Sequence, residues 1–503
     1  MHPASPHQLE LEVPPNPSAL IESMRAFGYS LPTAVADLID NSITADAKRV
    51  DVEFKWNGPE STVAVIDDGL GMDEDALNDA MRLGSRNPSD PRDPGDLGRF
   101  GLGLKSAGWS VARSLTVVSK ARGDHPRTRR WDLDHVAATG TWSLLAGGSD
   151  AADRLSARLD AIPSGTVVLL ERADRLVGDS PIDDVRARDR FLAAVSTTAR
   201  HLGMVFHRFL SGRDAITLTV NDSPIEPWDP FLEDHPATQR LPKDTLTLAG
   251  RRVQVAPFVL PHVSKLDAEP HGRAAGVRGW NAQQGFYVYR ARRLLVAGDW
   301  LGLRRMQQEE HYKLARIRVD LENSSDEQWQ IDVRKASARI PGPLVDQMRA
   351  IAEATRRQAA AAYRFRGKTT ARSSERGSLS FVWEQVTGRN GHRGFRVNRK
   401  HPVLEALLED PETATAVERA VRLVEENLPV EAIVMETREH PDEDRPRPFD
   451  GDSGEVADLL RETHAAMIAA GSKSGDALGA LATVEPFDSH PEIVQVYREE
   501  LES

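Results

Sequence analysis

Asp37-Leu-Ile-Asp-Asn-Ser-Ile-Thr-Ala-Asp-Ala47 is the stretch whose reading decides this chain. It closes a segment, residues 18–42, whose apolar positions Leu20, Ile21, Met24, Phe27, Ala34, Val35, Leu38 and Ile39 recur at helical spacing. Asp37 and Asn41 are four apart, so a helix presents both on one face. A carboxylate there can take a proton from a water attacking a phosphate. An amide oxygen one turn on can ligate Mg²⁺, which takes hard oxygen ligands and bridges phosphates. By itself the pair reads more simply as a polar helix face, with Asp40 and Asn41 near a C-cap.

Three further segments follow in order. Thr62–Ile66 is a short apolar run with strand character that ends in Asp67-Asp-Gly-Leu-Gly-Met72. A carboxylate at such a strand end can accept from an exocyclic amino group, and Gly69 and Gly71 let backbone approach a base closely. Gly98-Arg-Phe-Gly-Leu-Gly103, running into Leu104-Lys105, offers backbone N–H groups at a helix start to phosphate, with Lys105 adding charge. This glycine run is neither a Rossmann fingerprint nor a Walker sequence. Last, Ser164-Gly-Thr166 opens a predicted strand with a hydroxyl. A base, a magnesium ligand, an adenine acceptor and a phosphate cradle in this sequence order describe a nucleotide pocket.

Composition narrows the setting. At 503 residues the chain exceeds one core, and two to four domains are expected. With no cysteine, disulfides, cysteine–zinc sites and thiol catalysis are excluded. Residues 1–17 are polar and proline-rich without the apolar core of a signal peptide, and no apolar run approaches a membrane span. A cytoplasmic protein without membrane partners is the expectation. The net charge of −12 argues against a surface that coats nucleic acid throughout. Between Arg356 and Lys400, however, about twelve Lys or Arg stand against Glu375 and Glu384 alone, a local patch able to bind a polyanion such as DNA or to serve as a solvated linker.

The four segments in this order resemble the Bergerat fold of the GHKL superfamily, which unites gyrase B, heat-shock chaperones, histidine kinases and MutL. DLIDNSITADA resembles its Asn-bearing helix, DDGLGM its adenine motif, GRFGLGLKSA its phosphate loop, and Ser164-Gly165-Thr166 the strand whose Thr reaches the adenine site. GLGLKSAG is similar to the MORC-type and related bacterial ATPases. The likeness covers residues 20 to about 175. It implies ATP and Mg²⁺ as cofactors, Asn41 as the Mg²⁺ ligand and Asp67 as the adenine reader. It implies further nucleotide contacts from Gly69, Gly71, Met72, Gly98, Phe100, Gly101, Leu102, Gly103, Lys105 and Thr166, with residues 84–97 as a lid. The superfamily's usual base is Glu where this chain has Asp37. Asp is one methylene shorter, roughly 1.5 Å less reach, and misplacement on that scale costs on the order of a hundredfold in rate. A magnesium-dependent ATPase is expected, its turnover resting on Asp37.

The fold class expected is α+β: a Bergerat sandwich, a mixed sheet with helices on one face, then an α/β transducer-like domain and a small C-terminal region. The boundaries are 1–17 tail, 18–180 ATP-binding domain, 181–345 transducer-like domain, 346–378 helix and basic linker, and 379–503 C-terminal region of unnamed fold. In relatives the second domain sends a Lys to the γ-phosphate; Gln330-Ile-Asp-Val-Arg-Lys335 resembles that segment, implying Lys335, with Arg334 beside it, as a catalytic cation. Gly285–Val296 resembles a core hairpin of that domain, its aromatics reading as core. No helix with a phospho-acceptor His precedes the ATPase segments, which disfavours a histidine kinase, and His201 and His207 read as structural. The function expected is an ATP-gated homodimeric clamp acting on DNA through segment 356–400, with DNA processing or phage defence as the analogy. A non-turnover scaffold and a chaperone acting on protein partners are the rivals.

Overall fold

Gly28 interrupts the helix expected over residues 18–42. The protein is described by a computed structural model covering residues 13, 15–26, 28–84, 103–266, 268–322, 328–331, 338–364, 382–387, 393–409, 411, 413–430, 432–433, 453–469, 471–484, 486–487 and 490–502. In it α1 spans Pro17–Arg25 and α2 spans Leu31–Thr44. Gly28 sits at φ +75°, a left-handed conformation that glycine adopts at little cost. Ser30 and Thr33 then cap the start of α2 reciprocally. The helix runs past Asn41 to Thr44, so Asn41 is one turn inside it.

From there the chain builds β1 (Arg49–Lys55), β2 (Thr62–Asp67), α3 (Glu74–Met81), α4 (Gly103–Val111), β3 (Ser114–Lys120), β4 (Arg127–Asp132), α5 (Leu133–Thr139), β5 (Leu145–Ala146), α6 (Asp150–Asp160), β6 (Gly165–Glu171), α7 (Asp174–Val177), α8 (Val185–Val205), β7 (Thr217–Val220) and β8 (Ser223–Pro224). Asp73 caps α3 as its position suggests, accepting from the Ala76 N–H at 2.9 Å. The eight strands form one sheet in the order β5-β4-β3-β6-β2-β1-β7-β8. Every neighbouring pair is antiparallel except β1 with β7.

The central strands β2, β3 and β6 are buried on both faces, which explains their near-continuous apolar runs. On one face Val50, Val52, Val63, Val65, Leu115 and Val117 pack against Val35, Leu38 and Ile39 of α2, Trp109 of α4 and Leu202 of α8. On the other, Ala64, Ile66, Val118, Val167 and Leu169 meet Ala152 and Leu159 of α6. The large helices thus cover one face, as expected, and α6 adds a small cover to the other. Residues 185–224, expected in the second domain, instead add α8 and two strands to the first sheet. The otherwise open edge of β1 is what β7 pairs with, in parallel, from Arg49↔Thr217 to Val52↔Val220.

A second sheet follows, from β9 (Gln239–Arg240), β10 (Asp244–Leu248), β11 (Arg251–Val259), α9 (Ala268–Ala275), α10 (Gly279–Ala282), β12 (Gly285–Arg290), β13 (Arg293–Asp299), β14 (Ala315–Leu321) and α11 (Val345–Arg364). Its order is β10-β11-β14-β12-β13, with β9 on β11 and β12 parallel to β14. One face carries Val253, Val255, Ile317 and Val319 against Met348, Ala352 and Ala359 of α11. The other presents Ala256, Phe258, Tyr287 and Tyr289 to the cluster that holds the helices of the first sheet. The aromatics of the β12 run are therefore core.

Residues 368–503 form a separate unit. Its hairpin pairs Trp383–Thr387 with Arg393–Val397, and the helices Pro402–Glu409, Ala414–Glu426, Ser453–Ala469, Ser474–Leu481 and Pro491–Glu502 are among those that follow. The last three enclose Val456, Leu460, Leu478, Leu481, Phe487 and Val494.

Between the two sheets His207 is buried, its Nε2 2.9 Å from the Tyr289 hydroxyl. Burial first, then the Arg208 and Arg318 guanidinium groups, push its pKa down to about 3. Folded His207 is neutral, whereas the unfolded chain binds a proton below about 6.5. Stability contributed at neutral pH is therefore lost as pH falls from about 6.5 toward 3, at up to about 1.4 kcal/mol per pH unit. Denaturant unfolding at pH 7.5, 5.5 and 4.5 should show a shallower pH slope for His207→Phe than for the natural chain; identical slopes would contradict the assignment.

Candidate nucleotide site

The site is assembled at one end of the first sheet, where α2, the end of β2, the start of α4 and the start of β6 meet. Ala34 to Asp40 are buried without a break, so α2 is enclosed on all sides and its carboxylates are enclosed with it. Asp37 is 2% and Asp40 1% exposed. Tyr29 donates its hydroxyl to Asp37 Oδ2 at 2.9 Å. Gly103, the first residue of α4, comes close: a Cβ there would stand 4.0 Å from Asp37 Oδ2. The helix start expected to hold phosphate thus faces the carboxylate expected to activate water. Asn41, one turn on, is exposed, leaving its amide oxygen open to a hard cation.

Asp67 ends β2 and is 6% exposed. Ser42 Oγ donates to its Oδ2 at 2.8 Å, and the Gly69 N–H donates to its Oδ1 at 3.0 Å. With donors from Ser42 and from the Gly69 and Thr166 backbone, the carboxylate, which has about four lone-pair sites, keeps capacity for one more, which suits an acceptor for an amino group. Burial raises the Asp67 pKa, opposed by the hydrogen bonds from Ser42 and the Gly69 and Thr166 backbone. Thr166 stands opposite Asp67 across the β2–β6 pairing. Its hydroxyl lies 2.8 Å from Ser119 Oγ, which also accepts from the Met72 N–H at 2.9 Å. A chain of hydroxyls therefore ties the base of β6 to the turn after β2.

The glycines of that turn have steric reasons. Gly71 has φ +65°, and a Cβ on it would meet the Lys120 carbonyl at 1.9 Å. At Gly69 a Cβ would come 3.0 Å from Asp67 Oδ1 and 2.8 Å from the Ala45 carbonyl. Backbone lies directly on the Asp67 carboxylate only because neither position carries a side chain. This bare cradle, the buried acceptor and the exposed amide fit a purine nucleotide with its divalent cation.

Lys105 takes a different place from the one its position in the loop suggests. Its side chain is buried, and Nζ donates to the Ala80 and Arg82 carbonyls at 2.8 and 3.0 Å, at the end of α3. An ammonium there answers the carbonyls left without helical donors. Burial pushes its pKa down to about 8. Gly98, Phe100, Gly101, Leu102 and the expected lid lie outside the described residues, as do Arg334 and Lys335.

Four residues of this geometry carried no signal that singled them out: Tyr29, Ser42, Ser119 and Arg293. Ser42 follows Asn41 directly, so its place on the helix was readable. Arg293 enters from the second sheet, its Nε donating to Asp40 Oδ1 at 2.8 Å and its Nη2 lying 3.6 Å from Asp37 Oδ1.

Comparison with known proteins agrees with this geometry. Residues 29–166 match the family described as histidine kinase-, DNA gyrase B-, and HSP90-like ATPase. The DNA mismatch repair protein MutL of Rhodospirillum rubrum is 33% identical over 193 residues, covering 38% of this chain and 26% of that protein. ATPase morc-1 of Caenorhabditis elegans is 33% identical over 91 residues, 18% of this chain and 10% of its own. The chaperone protein HtpG of Clostridium perfringens is 30% identical over 105 residues, 19% and 16%. The chain spans about a quarter or less of the length of these relatives.

The close approach at Gly71 predicts a graded outcome. Gly123 has φ +81° with open space around it, so Gly123→Ala should cost only the left-handed backbone, about 1–2 kcal/mol. Gly71→Ala adds a backbone collision and should lose about 3 kcal/mol or more, together with affinity for a non-hydrolysable ATP analogue. Equal denaturation midpoints for the two variants would refute the close approach.

Residues 29–166, with Asp67, the Gly69–Gly71 turn and the Asn-bearing helix in place, are similar to the histidine kinase-, DNA gyrase B- and HSP90-like ATPases and resemble the MORC-type members of that GHKL group.

Proposed function

We propose that this protein binds ATP with Mg²⁺ at the α2–β2–α4 site, hydrolyses it slowly, and uses the cycle as a dimeric clamp on DNA. The placing of Gly103, where an added Cβ would stand 4.0 Å from Asp37 Oδ2 so that the bare helix start faces the carboxylate, carries the reading. It leaves a place for a γ-phosphate between phosphate-holding N–H groups and a base.

In this reading Asp67 accepts from the adenine amino group, and Gly69 and Gly71 let the backbone lie along the base. Thr166 and Ser119 position that acceptor from β6 and β3. Asn41 holds Mg²⁺, which supplies charge neutralisation across the phosphates when bound. Asp37 takes a proton from water as its oxygen attacks the γ-phosphorus; the bond to the β-phosphate oxygen breaks, and ADP and phosphate leave. Lys335, carried over from the family's γ-phosphate lysine, would balance charge on the transferred group. Lys105, bound to the end of α3, reaches phosphate only if those carbonyl bonds exchange.

The test is phosphate release by the full chain, by Asp37→Asn and by Asn41→Ala. Removing a general base should cost on the order of a hundredfold or more, and Asn41→Ala should lose the Mg²⁺ dependence. Equal background rates in all three would leave the second reading, a nucleotide-binding scaffold without turnover. That reading draws support from the shorter reach of Asp37. A third, a chaperone-like ATPase, gains from the HtpG likeness and predicts client rescue without DNA dependence.

The clamp's client is proposed as DNA because two of the relatives are a DNA mismatch repair protein and a MORC ATPase, and because segment 356–400 is basic. Double-stranded DNA should bind with an affinity that falls steeply with salt, and ATP should change the mass of the protein toward a dimer. Absence of DNA binding at low salt, with and without ATP, would remove the DNA client.

A further inference from the structure

Among the described residues, Arg293 of the second sheet reaches the proposed base. The hairpin β12–β13 turns at Ala291 and Arg292, both left-handed at φ +45° and +72°. Such a turn usually calls on glycine or asparagine. Here the turn is anchored instead: Arg292 Nη2 donates to the Arg208 carbonyl, and its guanidinium lies 4.9 Å over the Phe209 ring. Arg293, the first residue after this fixed turn, projects into the interior beside α2 with a side chain only 4% exposed.

Its guanidinium divides its contacts unequally. Nε donates to Asp40 Oδ1 at 2.8 Å, and Nη1 donates to the Leu294 carbonyl at 3.1 Å. Nη2 faces Asp37 Oδ1 at 3.6 Å, beyond hydrogen-bond length. Asp40 therefore takes the strong charge-assisted bond, while Asp37 is oriented by Nη2 at ion-pair distance without a direct hydrogen bond from it. Tyr29 fixes the other oxygen of Asp37. The carboxylate is held from two sides, one belonging to its own neighbourhood and one to the second sheet.

We propose that Arg293 is a positioning residue for hydrolysis: it fixes the Asp37 carboxylate through the Asp40–Arg293–Asp37 triad and makes turnover depend on the seating of the β12–β13 hairpin. This rests on Asp37 acting as the base. A short Asp where Glu is usual has less freedom to find its water, and an imposed orientation compensates for the missing methylene.

The experiment uses the full chain, with Arg293→Lys, Arg293→Met, Asp40→Asn and Asp37→Asn, reading kcat and KM for ATP together with the Kd of a non-hydrolysable ATP analogue. Arg293→Met should lower kcat about tenfold or more, with KM and analogue Kd within about twofold of the natural chain. Arg293→Lys, which keeps a cation for Asp40 but cannot span both carboxylates, should fall between. Asp40→Asn should also lower kcat, since the guanidinium is then released onto Asp37. If Arg293→Met fails to fold, Arg293→Lys decides by the same split. Unchanged kcat in the arginine variants overturns the proposal, and so does loss of analogue binding in step with kcat, which marks a purely structural role. Natural chain and Asp37→Asn releasing phosphate at the same background rate overturns the ATPase reading itself, a separate result from active protein indifferent to Arg293.

Discussion

Two carboxylates sealed inside one helix set the terms for the rest of the N-terminal unit. Ala34–Asp40 is buried throughout, with Asp37 and Asp40 at 2% and 1% exposure. Removing one partner from a buried ion pair typically costs about 3–5 kcal/mol, because a charge is left without compensation. The sequence around α2 cannot supply that compensation: no Lys or Arg lies between Arg25 and Lys48. Among the described residues, Arg293 brings a cation to Asp40 across 253 positions of chain. The second sheet thus contributes a charge partner to the helix that carries the candidate base, besides sharing its apolar cluster through Phe258, Tyr287 and Tyr289.

Local chemistry was legible and long-range pairing was not. The strand end at Asp67, the cap at Asp73 and the glycine turn at 69–71 each depend on a few adjacent residues, and each has the geometry its spacing implies. The break between α1 and α2 was also written locally, in Gly28 and the Ser30–Thr33 capping box, but a continuous apolar period masked it. By contrast, β7 joins β1 in parallel from 168 residues away, a pairing with no local signature, so residues 185–224 looked like the start of another domain. Arg293 was hidden for the same reason: within Arg290-Ala-Arg-Arg293, nothing local separates the one that reaches α2.

Lys105 holds its charge in a place that the motif alone does not specify. A lysine after a glycine-rich loop suggests phosphate, yet its ammonium is buried on two carbonyls at the end of α3. That bond set joins α4 to the segment that leads into the loop at 84–97. Its contribution is then to hold the two ends of that loop in register. A cation with a pKa of about 8 and two acceptors has less to gain from a distant phosphate than an exposed lysine would.

The same accounting bears on the basic segment. Arg356 pairs with Glu309 at 3.0 Å and stacks 3.8 Å over Tyr312; Arg396 pairs with Glu384 at 2.6 Å; Arg399 engages both Glu418 and Glu425. Each of these guanidinium groups already has an anionic partner, so the charge available to a polyanion is smaller than the count of residues suggests. Counterion release scales with phosphates neutralised by free cations, not with arginines in a stretch. The nucleotide site suffers no such discount. The roles proposed for its acceptor, amide and glycines depend on position, and position is what the paired β2 and β6 strands and the enclosed helix α2 fix.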